Sequence, residues 1–330
     1  MPSKTLVWLG DSALHDEMAQ QGYSITHVPL DNNALLTWDI LVERVGKEPD
    51  IVLYADADIA PPLQGFQDFP CLTVFCSINS HIHSWHPMYA QGFDLVSVRL
   101  RDHLPRFRQR LTSEQVLWLP PCPLHNEYPP QNPQDRKWDL LHVSDANTEN
   151  TPESNEFLKE LKAHFPNLKT RQGDFVKLCA HAKVILNITE QKVLNSRVFE
   201  ALACGSCLVT PEIGHGQSLL FKDGKHLVTY QTDDMDRLIK TVCTLLADAA
   251  QREAIAQAGF AEVNARHRPI HRAQTLSDAI ERLDNTTVQN RLAQSKAIHA
   301  KYLKLVYLQW AETFGNTETG AQYLRAAMTR

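Results

Sequence analysis

Short apolar runs alternate with stretches of helical period along this chain, and they do so twice. In the first half, Thr5–Leu9, Ser24–Val28, Ile51–Tyr54, Leu72–Phe75, Leu95–Val98 and Val116–Leu119 read as strands. Ala13–Gln21, Ala34–Val45 and His103–Arg110 carry the helical period between them. Strand–helix alternation at this spacing predicts a parallel sheet with helices on both faces.

The pattern then breaks. From Pro120 to Pro133 the chain spends six of its 18 prolines with little apolar periodicity, which is linker chemistry. Alternation resumes with strands expected at Leu140–Val143, Leu168–Arg171, Val184–Ile188, Cys207–Thr210 and Leu227–Tyr230. Glu153–Phe165, Phe175–Ala182 and Ser196–Cys204 read as the helices between them. Helices alone follow, at Asp233–Ala247, Ala249–His267 and Pro269–Leu283, where Pro269 suits a first helical turn. A long helical pattern, Val288–Phe314, carries Leu292, Ile298, Leu303, Val306 and Trp310 and ends at Gly315. The expected organisation is a Rossmann-like domain over 1–121, a proline-rich linker over 122–136, a second Rossmann-like domain over 137–284 and a helical extension over 285–330. Two doubly wound α/β domains joined in this way predict a cleft between the carboxyl ends of two sheets.

Composition narrows the class. The chain has 330 residues, beyond the usual size of a single core. With 43% hydrophobic and 22% charged residues it reads as globular, and no apolar run approaches the ~18 residues of a membrane span. The net charge of −5 gives no general pull toward nucleic acid or anionic membrane. The apolar run Leu6–Leu9 is too short for a secretory signal. Seven cysteines scattered through apolar segments suggest reduced thiols and a cytoplasmic protein. The C-terminal helix leaves an oligomer open.

Residues 195–230 are the densest in chemistry. On a helix over Ser196–Cys204, Arg197, Glu200 and Cys204 fall on one stripe, and Val198, Phe199, Leu202 and Ala203 form the apolar face. Gly205 stops the helix. A carboxylate there can accept from both hydroxyls of a ribose, and an arginine fork can meet a phosphate. An exposed i,i+3 ion pair would use the same spacing. After the strand Cys207–Thr210 comes Pro211-Glu-Ile-Gly-His-Gly-Gln217, where Gly214, His215 and Gly216 open a helix whose backbone N–H groups can face an anion.

Asn195–Gly205 followed by Leu219–Tyr230 closely resembles the nucleotide-sugar half of CgeB-type (spore maturation protein B-like) glycosyltransferases, relatives of the family 4 glycosyltransferases with the two-domain GT-B fold. The resemblance continues through Arg252–Gly259, His267 and Arg272, and more loosely back through Phe93–Val96, Trp118–Pro121 and Ile185–Ile188. It implies that Glu200 matches the second glutamate of the family 4 E-x7-E motif and binds the donor's ribose. It implies that Asn195 and Arg197 approach the diphosphate or the sugar, and that Gly214–Gly216 form the loop facing the phosphates. The chain departs from the motif at Lys192, which stands where the first glutamate belongs. Lys192 could then neutralise the leaving diphosphate, with Glu190 offering a carboxylate to the sugar.

Other groupings carry weaker signals. Asp56-Ala-Asp58 follows a strand and could hold a metal–diphosphate pair or act on the acceptor side. His81-Ile-His83-Ser-Trp-His86 reads as a polar loop entering a helix, since three histidines without a carboxylate at suitable spacing are weak zinc evidence. Asn79 and His81 are acceptor-side candidates for hydrogen bonding and proton transfer. Cys204-Gly-Ser-Cys207 reads as packing, because one thiol ends a helix and the other begins a strand. Arg99, Arg101, Arg106, Arg108 and Arg110 form either a solvated face or a grip on an acidic acceptor.

The expected function is a GT-B glycosyltransferase moving a sugar from a nucleotide donor, of UDP-sugar type, to an unidentified acceptor without a metal. A retaining reaction would proceed by front-face displacement. An inverting one would need a first-domain base, with Asp56 and His81 as candidates. The alternatives are a non-catalytic nucleotide-sugar-binding scaffold and a nucleic-acid-modifying glycosyltransferase.

Overall fold

The computed structural model describes residues 3–30, 35–126, 128, 136–144, 151–189 and 192–329. By contact the chain forms two units, Met1–Pro120 with Arg272–Arg330, and Pro121–His271.

The first unit is built on β1 (Thr5–Gly10), β2 (Ser24–Val28), β3 (Ile51–Ala55), β4 (Leu72–Ser77), β5 (Leu95–Val98) and β6 (Val116–Trp118). They pair in parallel in the order β2-β1-β3-β4-β5-β6. Every residue of β3 is buried, as expected for a strand covered on both faces, and this is why β3 reads as an unbroken apolar run. Successive side chains enter opposite cores. Leu6, Trp8 and Leu53 pack on one face, and Val7, Leu9, Val52 and Tyr54 on the other. The helices among these strands are short: α1 (His15–Gln20), α2 (Trp38–Val45), α3 (His86–Tyr89) and α4 (Leu104–Phe107).

The second unit holds β7 (Trp138–Ser144), α5 (Pro152–His164), β8 (Leu168–Gln172), α6 (Phe175–Cys179), β9 (Ala182–Leu186), α7 (Ser196–Ala203), β10 (Cys207–Pro211), α8 (Gln217–Leu220) and β11 (Val228–Tyr230). Its sheet is also parallel, in the order β11-β10-β9-β7-β8. Helices α9 (Met235–Ala247) and α10 (Ala249–Arg266) complete it. Each starts at an aspartate whose carboxylate accepts from a backbone N–H one turn on: Asp234 from Arg237 and Asp248 from Gln251.

The remaining helices depart from the expected division at 284 and from a separate extension over 285–330. In α11 (Pro269–Glu281), Ala273, Leu276, Ala279 and Ile280 are buried in the same cluster as Leu6 and Trp8, so the chain rejoins the first unit at Arg272. The helix expected over 288–314 is instead α12 (Asn285–Ala293), α13 (Ser295–Ile298), a π-helical turn at His299–Leu303 and α14 (Lys304–Phe314), followed by α15 (Glu318–Met328). Ile298, Leu303, Val306 and Tyr307 are buried among Phe66, Tyr89 and Phe93, so this apolar face is used within the chain's own first unit. Among the described residues no helix is long and apolar enough to cross a membrane. All seven cysteines are free.

Candidate active site

Helix α7 ends in a full Schellman arrangement. Gly205, at φ +67°, donates its N–H to Leu202 O at 2.9 Å, and Ser206 donates to Ala201 O at 3.1 Å. Val198 through Ala203 are all buried, and Glu200 is only 5% exposed. An exposed surface ion pair is therefore not what this helix carries. Gly259 of α10 lets the chain pass close to α7, since a Cβ there would lie 2.4 Å from His226 O and 2.7 Å from a Leu202 methyl.

The strand order explains where α7 matters. From β7 the chain runs to β8 on one side and then to β9 on the other, so its connections diverge between β7 and β9. In open parallel sheets, ligands bind outside the carboxyl ends of the strands at such a point. Two contacts meet there. The Arg197 guanidinium donates from Nη1 to Val143 O near the end of β7 and lies 5.5 Å over the Phe175 ring. His142 of β7 places Nδ1 3.1 Å from Leu186 O of β9. Burial lowers the His142 ring to about 4, with Arg197 adding to the effect and the Leu186 carbonyl opposing it. Beside them, the Asn187 amide donates to Thr210 Oγ1 at 3.1 Å, and the Tyr230 hydroxyl donates to Asn187 O at 3.1 Å. His142 was missed in the sequence, where its signal is one histidine inside the apolar run Leu140–Val143.

One turn beyond Arg197, Glu200 adds its charge to burial in raising the Tyr128 phenol. It acts similarly on Cys179, whose thiol is raised first by burial and then by Cys204. Asn195 takes the N-cap position of α7 with extended backbone but makes no side-chain cap bond, and its Oδ1 is shielded from solvent with no hydrogen-bond partner among the described residues.

The loop expected to face phosphates has left-handed backbone at His215 (φ +55°) and Gly216 (φ +85°), with Gly214 just before. Gln217 braces it, accepting from Ile213 N at 3.0 Å and donating to Pro211 O at 3.1 Å. Helix α8 behind it has only four residues, so an aligned macrodipole contributes little there and the individual N–H groups matter. Lys192 is exposed with φ +54°, and Glu190 lies outside the described residues.

The first-unit candidates group around one carboxylate. Asp56 directly follows β3 and its side chain is fully buried. Oδ1 accepts from Asp58 N at 3.1 Å and Oδ2 from Asn79 N at 2.9 Å. Burial raises this carboxyl, against the pull of those two amides. A carboxylate so enclosed holds the 56–79 loops together, which separates it from direct acceptor contact. The Asn79 amide donates to Asp58 Oδ1 at 2.7 Å, and His83 Nε2 lies 2.9 Å from the same oxygen. His81 is half-buried in the same loop. The arginine run is partly committed: Arg110 donates to the Gln91 and Phe93 carbonyls, and Arg101 lies 5.9 Å over the Trp118 ring.

Residues 156–278, which contain α7 and the loop after β10, match the family model described as "Glycosyl transferase-like". No curated protein matches the chain significantly in sequence. Among solved structures, the chain is similar to Anabaena Alr3699/HepE in complex with UDP and glucose. That match has TM-score 0.59 and 12% identity, over 85% of this chain and 100% of that one. A glycosyltransferase from Rickettsia africae matches at TM-score 0.59 and 9% identity, over 85% and 99% of the two chains. Sucrose-phosphate synthase from Thermosynechococcus elongatus matches at TM-score 0.58 and 10% identity, over 84% and 98%. The two parallel-sheet units form the GT-B fold. The family match covers residues 156–278, and the solved structures share the fold across most of the chain.

Proposed function

We propose that this protein transfers a sugar from a uridine diphosphate donor to an acceptor, and that the second unit binds the donor. The observation that carries the reading is Arg197 reaching the carboxyl end of β7 at the divergence point, with Glu200 one turn behind it on the same helix. The fold neighbour Alr3699/HepE was solved with UDP and with UDP-glucose, which supports a nucleotide of this kind.

In this reading Glu200 accepts from the ribose hydroxyls, and the Oδ1 of Asn195, which has no partner among the described residues, takes a donor group of the sugar or nucleotide. Glycosyl transfer needs charge stabilisation on the departing diphosphate. Arg197, Lys192 and the backbone N–H groups around Gly214, His215 and Gly216 supply it without a metal ion. Glu190, two residues before Lys192 in the sequence, is the carboxylate proposed for the sugar. The first unit takes the acceptor, with Asn79 and His81 as its polar contacts. A retaining course follows front-face displacement, in which the leaving diphosphate takes the acceptor's proton. An inverting course draws on His81, since Asp56 is enclosed. The CgeB-type resemblance of residues 195–230 fits this assignment.

Incubating the full chain with a panel of nucleotide sugars tests it, with slow donor hydrolysis as the readout. Release of UDP from one or a few donors is expected. Binding without release from any donor, with candidate acceptors present, would make the protein a nucleotide-sugar-binding scaffold.

A further inference from the structure

The loops after β3 and β4 hold a second constellation, unused by the donor site. Asp56, His83 and His86 each bring one ligand-type atom into a group in which all three lie within 4.8 Å of one another. Asp56 Oδ1 and His86 Nε2 stand 3.7 Å apart with both side chains fully buried. That is too long for a good hydrogen bond. A four-coordinate zinc ion, with bonds of about 2.0–2.1 Å, keeps its ligand atoms roughly 3.3 Å apart, close to this spacing. His86 Nε2 has no hydrogen-bond partner among the described residues, although the ring is completely enclosed and turned toward the carboxylate.

The surroundings fix these groups as outer-shell partners fix metal ligands. Ser77 Oγ lies 2.9 Å from His86 Nδ1, which holds the ring with Nε2 toward Asp56. Asp58 Oδ1 lies 2.9 Å from His83 Nε2, and Asn79 Nδ2 donates to that same Asp58 oxygen at 2.7 Å. Metal-binding histidines generally hold their second nitrogen to a carboxylate, carbonyl or hydroxyl in this manner. The Asp56 carboxylate is itself oriented by two backbone N–H groups. His83 keeps 16% of its side chain exposed, which offers an ion a way in.

We propose that Asp56, His83 and His86 bind one divalent transition-metal ion of the zinc type, with Asp58 and Ser77 orienting the two imidazoles. Two imidazoles and one carboxylate suit zinc or cobalt over magnesium or calcium. Three protein ligands leave a fourth position for water or for an oxygen of the acceptor. The site lies in the first unit, so its test needs no sugar donor and stands or falls apart from the transfer reading.

The full-length protein, stripped with a chelator, is titrated with Co2+, whose visible absorption reports four-coordinate binding, and then challenged with Zn2+. One cobalt per chain, displaced by zinc, is expected. His83→Gln, at a partly exposed position, should weaken uptake by more than about 100-fold. Asp58→Asn, which keeps the left-handed backbone at φ +56° acceptable, should weaken it about 10- to 100-fold. Absence of saturable one-to-one uptake would overturn the proposal. So would wild-type affinity in both variants, which would assign the cobalt to the free cysteines or other surface groups.

Discussion

Arg291 Nε lies 2.9 Å from Asp94 Oδ1, and neither side chain has any exposure. The pair joins α12, near the end of the chain, to the residue before β5. Arg291 also donates from Nη1 to the Phe66 and Gln67 carbonyls and from Nη2 to those of Phe69 and Cys71. Asp94 Oδ2 in turn accepts from Thr73 N and Thr73 Oγ1. A buried guanidinium is tolerable because all of its N–H groups find acceptors.

Arg291→Met is expected to cost about 3–5 kcal/mol, because it strands the Asp94 carboxylate and four carbonyls in the interior. Arg291→Lys should also be costly, since an ammonium has three donors and lacks the planar fork. Urea denaturation followed by tryptophan fluorescence measures both. A loss below about 1 kcal/mol for Arg291→Met would mean that α12 is not held by this contact.

Gly205 and Gly259 separate two reasons for a glycine beside α7. Gly205→Ala meets its nearest atom only at 4.0 Å, so its expected cost, about 1–2 kcal/mol, comes from left-handed backbone. Gly259→Ala has ordinary backbone but collides with His226 O, which as backbone cannot swing aside, and should cost roughly 1–3 kcal/mol. Thermal denaturation should show both variants below wild type. An unchanged midpoint for Gly259→Ala would mean that α10 does not pass α7 this closely.

His142 makes stability depend on pH. In the unfolded chain the ring titrates near 6.5, and burial brings it to about 4 in the fold. Between these values the unfolded chain holds a proton that the folded one lacks. Stability from this group is therefore fully present above pH 6.5 and falls as pH drops toward 4. At about 1.4 kcal/mol per unit the loss amounts to roughly 3 kcal/mol at most. His142→Gln should flatten that part of the pH–stability curve, measured by denaturation from pH 4 to 8. An identical slope in the variant would place the titration elsewhere.

The strands were legible because strands covered on both faces are mostly apolar, as β3 shows residue by residue and β10 shows at Cys207–Val209. The helices of the second unit followed from period, and the capping aspartates Asp234 and Asp248 are seen only in the structure. The return of the chain at Arg272 was not legible. The stripe Ala273, Leu276, Ile280 says that a face is buried, but not that Leu6 and Trp8 of a distant strand will cover it. The single helix expected over 288–314 failed similarly, since nothing local announces the π-helical turn at His299–Leu303. At the site, Arg197 and Glu200 stood out through their spacing. Only the strand order brings His142 and the carbonyls of Val143 and Leu186 together with Arg197.

Titration calorimetry of UDP into the wild-type protein and into Glu200→Gln addresses the proposed donor site directly. The glutamine keeps the shape of this buried side chain and removes its charge. Losing charged hydrogen bonds to the ribose should weaken binding by about 1–3 kcal/mol, with the folded state confirmed by circular dichroism. Equal affinity for UDP in the two proteins would contradict the assignment of Glu200 to the nucleotide, and with it the donor site built on α7.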